Sequence, residues 1–548
     1  MSIVKTLAKG TFWGVAAAFF LKIIGFGYYI VLARMVPEEN IGEMGLFFHA
    51  FSIISVIIIF SDLGLGPGAI SRYVPYYSSR REYNYVKKTF KLSIYAGTLF
   101  SLLCIIILSA FSSDISRFLG EPKLAPLLQI MSSYLLVYNF YSIAYGFLVG
   151  RKLIKRSSYM SSIQGLTKLI LTIIFLYYYS SVAGSITTAF VLSFVVASVY
   201  GMVWVAREYK NLPNSEEKVD SRSLLIEMVP FGITSVFLAS MSSLNSFFDR
   251  LMFGFFLPSG INEEVIGVYS IIIGFTSVMA FFSTPLSSIF GPVITEAIGR
   301  KDDSELKKTS AIFIRWIIMS TVPIILMIVL FSGEILTVVY GPAYSKGSSV
   351  LIIYSLGLFI FSFSYPVQGI LMGLKKMNIT ASVLFAGTIL NIVLNILLIP
   401  VYRMEGAAFA SAVSFIMMTG LFIHAGRDYK FEMPKNVYKL FLAGFLTLLP
   451  FIIFKMFNGG LLNFMPVLLT SDNLLSEILR KLFKVCLMGA IFFAVSFTYL
   501  FFLIFFRSFS VEDTEVLTGG LRKLGAPPGF INLVKRVFRP PGTLFNLP

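Results

Sequence analysis

Apolar runs of about twenty residues, separated by short polar stretches, recur along the whole chain. About 20 apolar residues cross the hydrocarbon core of a bilayer as a helix. About fourteen such runs can be placed, at residues 10–34, 44–66, 89–111, 124–149, 160–179, 182–206, 224–256, 265–290, 311–331, 349–373, 380–400, 406–424, 438–457 and 482–506. Most are apolar on every side, a pattern that a water-soluble globule cannot bury. The first run is too long for the 7–15-residue apolar core of a cleavable leader, roughly the usual range, and reads as a membrane helix. The seventh is long and contains Pro230 and the pair Asp249-Arg250.

The runs repeat. Gly146, Leu148, Gly150 and Lys152 recur as Gly369, Leu371, Gly373 and Lys375 at one constant offset. Gly165 and Gly184 recur as Gly387 and Gly406, Gly42 as Gly267, Gly66-Pro67 as Gly291-Pro292, and Lys87-Lys88-Thr89 as Lys307-Lys308-Thr309. One such match would be chance; matches that keep their order and nearly one spacing imply two similar halves of six spans each. Six is even, so both halves enter the membrane in the same sense, and their symmetry axis is expected along the membrane normal. The expected fold is therefore an all-α integral membrane protein: two six-helix bundles over 1–210 and 220–430, two further helices over 436–507, and a tail over 508–548.

Charge sets the orientation. Lys5 and Lys9, Arg80 with Arg81, Arg151 with Lys152, Lys210, Lys218, Arg300 with Lys301, Lys375 with Lys376, Lys430, Lys435, Arg522, Lys523 and Arg539 fall on one side. The other side is poor in Lys and Arg. The basic side is cytoplasmic by the positive-inside rule, which places both termini in the cytoplasm of a cell-membrane protein. The net charge of +17 is thus a topology signal, with attraction to anionic headgroups second, and is no sign of nucleic acid. Only 13% of residues are charged, against about 25% in soluble domains. Cys104 and Cys486 lie in apolar runs, and His49 and His424 stand in no ligand motif, so neither a disulfide framework, a metal site nor a cofactor is indicated. The outer loop near 458–481 is too short for a folded domain. The tail, with basic and apolar residues around Pro527-Pro528 and Pro540-Pro541, reads either as a short amphipathic piece on the inner surface or as an unstructured end.

Ionisable groups inside the spans are costly and mark candidate sites. Lys22 is central in the first span, on a face with Gly14, Ala18, Gly25 and Tyr29. Asp249 and Arg250 lie late in the seventh; adjacent helical residues point about 100° apart, so they can address different partners. Asp62 closes the second span before Gly64-Leu65-Gly66-Pro67, where it either caps the helix end or takes a coupling cation. Lys168, Glu227 and Arg315 lie nearer the span ends, where snorkelling is expected. Asn391 and Asn395, at i and i+4, form a polar stripe suited to interhelical hydrogen bonds. A deep set containing Lys22 and Arg250 against Asp249 suits an anionic head group better than an organic cation.

The first span ends in Leu32-Ala33-Arg34-Met35-Val36-Pro37, followed by Gly42. This resembles the signature of the polysaccharide biosynthesis (oligosaccharide flippase) family, within the multidrug/oligosaccharidyl-lipid/polysaccharide exporter superfamily. Asp62-Leu63-Gly64-Leu65, Pro230, Asp249-Arg250-Leu251, Ile266-Gly267-Val268-Tyr269-Ser270 and Ile289-Phe290-Gly291-Pro292 follow that family's order and spacing, over residues 1 to about 430. The resemblance implies two bundles around a central cavity. It implies transport of polyprenyl- or dolichyl-diphosphate-linked oligosaccharide from the inner to the outer leaflet. The substrate-binding residues expected are Lys22, Arg250, Asp249 and Arg34, with Asp62 and Asp249 as coupling or gating groups for H+ or Na+. Membrane lipids and glycan-assembly proteins are the expected partners.

Three rivals bear on this reading. A cation-coupled multidrug exporter of the same superfamily is the nearest. A membrane glycosyltransferase would need outer-side carboxylate pairs holding a metal; Asp302-Asp303 falls on the inner side. A channel predicts no saturable transport. With no Gly-rich phosphate loop in the sequence, an ATP-hydrolysing enzyme is not expected.

Overall fold

A computed structural model describes residues 3–213, 219–434, 436–458, 474–515, 518 and 527–538. Lys218, Lys435, Arg522, Lys523, Arg539, Pro540-Pro541 and most of the loop near 458–481 lie outside the described residues. Every described element is helical. In chain order these are α1 (Ile3–Met35), α2 (Ile41–Ser61), α3 (Ser71–Ser79), α4 (Tyr83–Ala110), α5 (Ser112–Phe118), α6 (Leu124–Gly150), α7 (Ile154–Tyr178), α8 (Val182–Lys210) and α9 (Ser221–Phe256). They continue with α10 (Ile261–Thr276), α11 (Ala280–Arg300), α12 (Asp303–Val339), α13 (Ser348–Phe361), α14 (Tyr365–Gly373), α15 (Met377–Asp428), α16 (Val437–Asn458), α17 (Leu474–Phe505) and α18 (Pro528–Val537). Each predicted run falls on one or two of α1–α17. Among the described residues, 11 helices are long and apolar enough to cross a membrane. The 52-residue α15 holds two predicted spans, separated at Arg403, whose backbone leaves the helix (φ 48°, ψ −123°).

The chain divides into two compact units, one of residues 1–278 with 384–414, the other of 279–383 with 415–548. In the first, α7 packs on α8 and α1, α6 on α8 and α4, and α2 on α10. The α2–α10 crossing is tight because glycines line it. A Cβ on Gly267 would stand 2.5 Å from the Ile41 carbonyl oxygen, so any side chain there would push the helices apart. Phe47, Phe51, Tyr134, Phe190 and Phe194 interlock beside it, with ring centroids 4.9–6.1 Å apart.

In the second unit, α12 packs against α11, α13, α16 and α17, and α11 against α14. Phe493, Phe497, Phe501 and Phe505 of α17 are all exposed. At i+4 spacing they form one stripe, as a helix turned toward lipid requires.

The sequence repeat has a packing counterpart. In the first unit the end of α6 lies on the segment that follows α2: a Cβ on Gly146 would touch the Ile70 side chain at 3.4 Å, and one on Gly150 would touch Val74 at 3.0 Å. In the second unit the end of α14 lies on α11 through the repeat-related positions: Gly369 faces Ile294 at 3.6 Å and Gly373 faces Ile298 at 2.7 Å. One difference is clear. Gly146 also abuts the Gly66 carbonyl oxygen, 2.6 Å from its would-be Cβ, whereas Gly291 has open space.

Candidate functional site: a buried carboxylate in the first unit

Asp249 is fully buried in α9. A buried carboxyl group is tolerated only where hydrogen-bond partners replace its water, and four donors do so. The Tyr269 hydroxyl of α10 donates to Oδ2 at 2.6 Å, and the Ser411 hydroxyl of α15 to the same atom at 2.8 Å. The Asn395 and Asn391 amides, also of α15, donate to Oδ1 at 2.7 and 3.1 Å. The i and i+4 spacing of the two asparagines puts both on one helix face. Asn391 donates to Ser411 as well, at 3.1 Å, and Asn395 to Asn391 at 3.2 Å. Asn395 Oδ1 has no hydrogen-bond partner among the described residues. One helical turn back, Thr388 donates to Asn245 at 3.2 Å.

Arg250 is buried too, and its side chain takes a different direction. It donates to Ser270 at 3.4 Å and lies 5.4 Å from the Phe247 ring centroid and 6.0 Å from that of Phe48. Asp249 and Arg250 thus serve separate surroundings on α10, through the consecutive residues Tyr269 and Ser270. Close by, a Cβ on Gly254 would press on the buried His49 ring, whose two nitrogens are unpartnered among the described residues.

The other predicted residues are spread over the same unit. Lys22 is half-buried in α1, beside Leu21 and Ile24, which pack against Gly165 of α7. Lys168, on α7, does not simply reach for an interface: its ammonium sits 3.9 Å from the Tyr28 ring centroid. Arg34 is exposed in the last turn of α1, where a cation complements the helix dipole. Asp62 is buried and organises the end of α2. It accepts from the Gly64 amide at 2.9 Å and from Ser142 of α6 at 3.0 Å. These bonds anchor the left-handed Leu63 and Gly64 (φ 52° and 64°) and the π turn Leu65–Ile70 that follows. Glu227 accepts from the Tyr73 hydroxyl at 3.0 Å.

In the sequence Asp249, Asn391 and Asn395 stand as separate features that nothing local joins. Tyr269 stood in a quoted motif without a role. Ser411 had no signal, being one small residue among the alanines of span 12.

A multispanning helical protein with repeat-related packing and buried charges in its spans has the architecture of a membrane transporter. Residues 7–298 match the family model described as polysaccharide biosynthesis protein, and residues 232–397 match the MatE model. The chain belongs to the polysaccharide biosynthesis protein family. It is 22% identical to the lipid II flippase MurJ of Bacillus subtilis over 80% of this chain and 87% of that one. It is 25% identical to the probable low-salt glycan biosynthesis flippase Agl15 of Haloferax volcanii over 38% of this chain and 45% of that one. The solved structure of lipid II flippase MurJ in an inward closed conformation shares the fold, with a TM-score of 0.69 at 19% identity over 90% of this chain and 99% of that one.

Proposed function

We propose that this protein is a flippase that moves lipid-diphosphate-linked oligosaccharide from the cytoplasmic to the outer leaflet of the cell membrane by alternating access, for glycan assembly. The observation that carries this reading is the family match over residues 7–298, a span that includes both Lys22 and Arg250. Lys22, Arg250 and Arg34 would attract the diphosphate, while the lipid tail stays in the bilayer. Both termini are cytoplasmic in this reading, because the basic loops face inward. Outward movement of an anionic head group is then favoured by an inside-negative potential, at about 2.3 kcal/mol per charge per 100 mV.

Asp249 would be the coupling group for a proton or sodium ion. Its four neutral donors would be displaced or turned on cation binding, and Asn395 Oδ1, which has no hydrogen-bond partner among the described residues, would supply a further oxygen. Asp62 would act in gating, since it ties the end of α2 to α6.

The test is flipping of a polyprenyl-diphosphate oligosaccharide in proteoliposomes by Lys22→Ala, Arg250→Ala and the double variant. At least a tenfold loss in the double variant is expected; full activity would sink the site assignment. A second reading, a cation-coupled multidrug exporter, draws on the MatE match over 232–397. Counterflow of labelled organic cations separates the two: exchange of cations without flipping favours the exporter.

A further inference from the structure

The described residues after α17 are docked, and among the described residues part of the α18 surface is left exposed. Arg315 of α12 pairs with the fully buried Asp513, Nε to Oδ2 at 3.0 Å, and donates to Ser510 at 2.8 Å. The Trp316 indole donates to the other Asp513 oxygen at 2.9 Å. Further on, the Thr514 hydroxyl donates to the Phe538 carbonyl at 3.0 Å, and the rings of Phe509 and Phe538 meet edge to face at 4.6 Å. These contacts hold α18 against the second unit.

Helical geometry then sorts the residues of α18. Ile531, Val534 and Phe538, at spacings of three and four, form the stripe turned to the protein; Ile531 is buried. Phe530, Leu533 and Val537 form the neighbouring stripe, and they are 48%, 55% and 40% exposed. Arg536 borders that exposed stripe, and Lys535 borders the docked one. Glu512 and Glu515 lie on the helical stretch 511–515 and not on this helix. An exposed apolar stripe with Arg536 at its border and Lys535 across the helix from it is the pattern of a helix lying in the bilayer interface. The tether supports the same level: α18 is held to the residues that directly follow α17, whose phenylalanine stripe faces lipid.

We propose that α18 is an interfacial helix that seats Phe530, Leu533 and Val537 among the acyl chains and recruits anionic phospholipid headgroups to Lys535 and Arg536, on the membrane face where α17 ends. This does not depend on what the protein transports. The two basic residues confer the preference for anionic lipid, about fivefold in partitioning for each. Salt weakens it, because exposed charges more than about 10 Å apart are screened at 0.1 M.

The test uses the full chain carrying L533C, with Cys104 and Cys486 replaced by Ser, in nanodiscs of phosphatidylcholine alone or with phosphatidylglycerol. A fluorophore on residue 533 is quenched by spin-labelled acyl chains. The expected result is strong quenching in the anionic discs, weak quenching in the neutral ones, and a fall to the neutral level in K535Q/R536Q but not in K535R/R536K. The conservative pair guards against mere misfolding of the tail. Equal quenching in both discs, or none in either, overturns the proposal.

Discussion

Lys152 and Lys375 occupy the same place in the two halves of the repeat and the same rare backbone conformation, with φ of 60° and 59°. Each ends a helix. The Leu153 amide donates to the Leu148 carbonyl at 2.8 Å, and the Lys376 amide to the Leu371 carbonyl at 2.8 Å. The paired bonds one residue earlier also recur, Lys152 to Val149 at 2.8 Å and Lys375 to Met372 at 3.1 Å. This is the helix-closing turn in which a left-handed residue satisfies the last carbonyls. A lysine there carries a steric cost of about 1–2 kcal/mol that glycine avoids.

Substitution should therefore act alike at both sites. Lys152→Val and Lys375→Val should each lower stability by about 1–2 kcal/mol, because a β-branched side chain fits the left-handed region worst. Lys152→Gly and Lys375→Gly should be neutral or slightly stabilising. Thermal unfolding in detergent measures both pairs, and a marked loss at one site with none at the other would contradict a structural repeat.

The spans were legible because lipid demands about twenty apolar residues in a row, a local property. The repeat was legible because the glycines recur in order, and they fall where α6 meets Ile70 and Val74 and where α14 meets Ile294 and Ile298. Pairing across helices was not legible. Asp249 draws donors from α10 and from both parts of α15, before and after the break at Arg403, and nothing local to Ser411 announces that contact. Arg315 read as a snorkelling residue; its partner Asp513 lies beyond the last span, and the buried ion pair replaces the expected reach to the interface. The tail was open between an amphipathic piece on the inner surface and an unstructured end; among its described residues it holds one helix of ten residues, α18.

Asp249→Ala should be far more damaging than Asp249→Asn. The alanine removes the acceptor that four buried donors share, and each donor left unmet costs about 1–3 kcal/mol. The asparagine retains an acceptor oxygen and the volume but loses the charge. We expect Asp249→Asn to fold, with a melting temperature within a few degrees of the parent, and to lose the dependence of flipping on the coupling ion. Parallel thermal melts and flipping assays across proton and sodium gradients check this. Retained ion dependence in Asp249→Asn would remove Asp249 from the coupling role.

The Arg315–Asp513 pair makes a separate prediction about the tail. Removing one partner of a buried pair strands a charge and costs about 3–5 kcal/mol, whereas replacing both by apolar residues of similar size is often neutral. Asp513→Ala should therefore free the residues after α17 to protease attack, and Arg315→Met with Asp513→Leu should restore protection. Limited proteolysis of the full chain distinguishes the variants; equal protection in all of them would mean that Phe509 and Phe538 suffice to hold the tail.

Glu121 and Glu263 form a hydrogen-bonded carboxyl pair, both buried, joining the turn before α6 to the first turn of α10. Such a pair needs one proton. Burial pushes the Glu121 carboxyl up, but hydrogen bonds from Glu263 and from Ser259, the latter at 2.8 Å, together with the charge of Lys123, hold it below the usual carboxylate range. Glu121 has the Ser259 donor whereas Glu263 Oε1 has no partner among the described residues, so Glu121 is the ionised acceptor and Glu263 the donor. A carboxyl whose folded-state pKa is depressed contributes stability that is complete above its unfolded value, about 4.3, and is lost as pH falls through the folded value. On the alkaline side, loss of the shared proton sets two buried carboxylates against each other. Stability from this contact should pass through a maximum with pH. Glu263→Gln keeps a donor at every pH, so it should abolish the alkaline decline and leave the acid one. Glu121→Gln should remove the acid decline, because no carboxylate remains there to protonate. Melting temperature against pH for the parent and both variants measures the two limbs. An alkaline decline unchanged in Glu263→Gln would show that the pair does not share a proton.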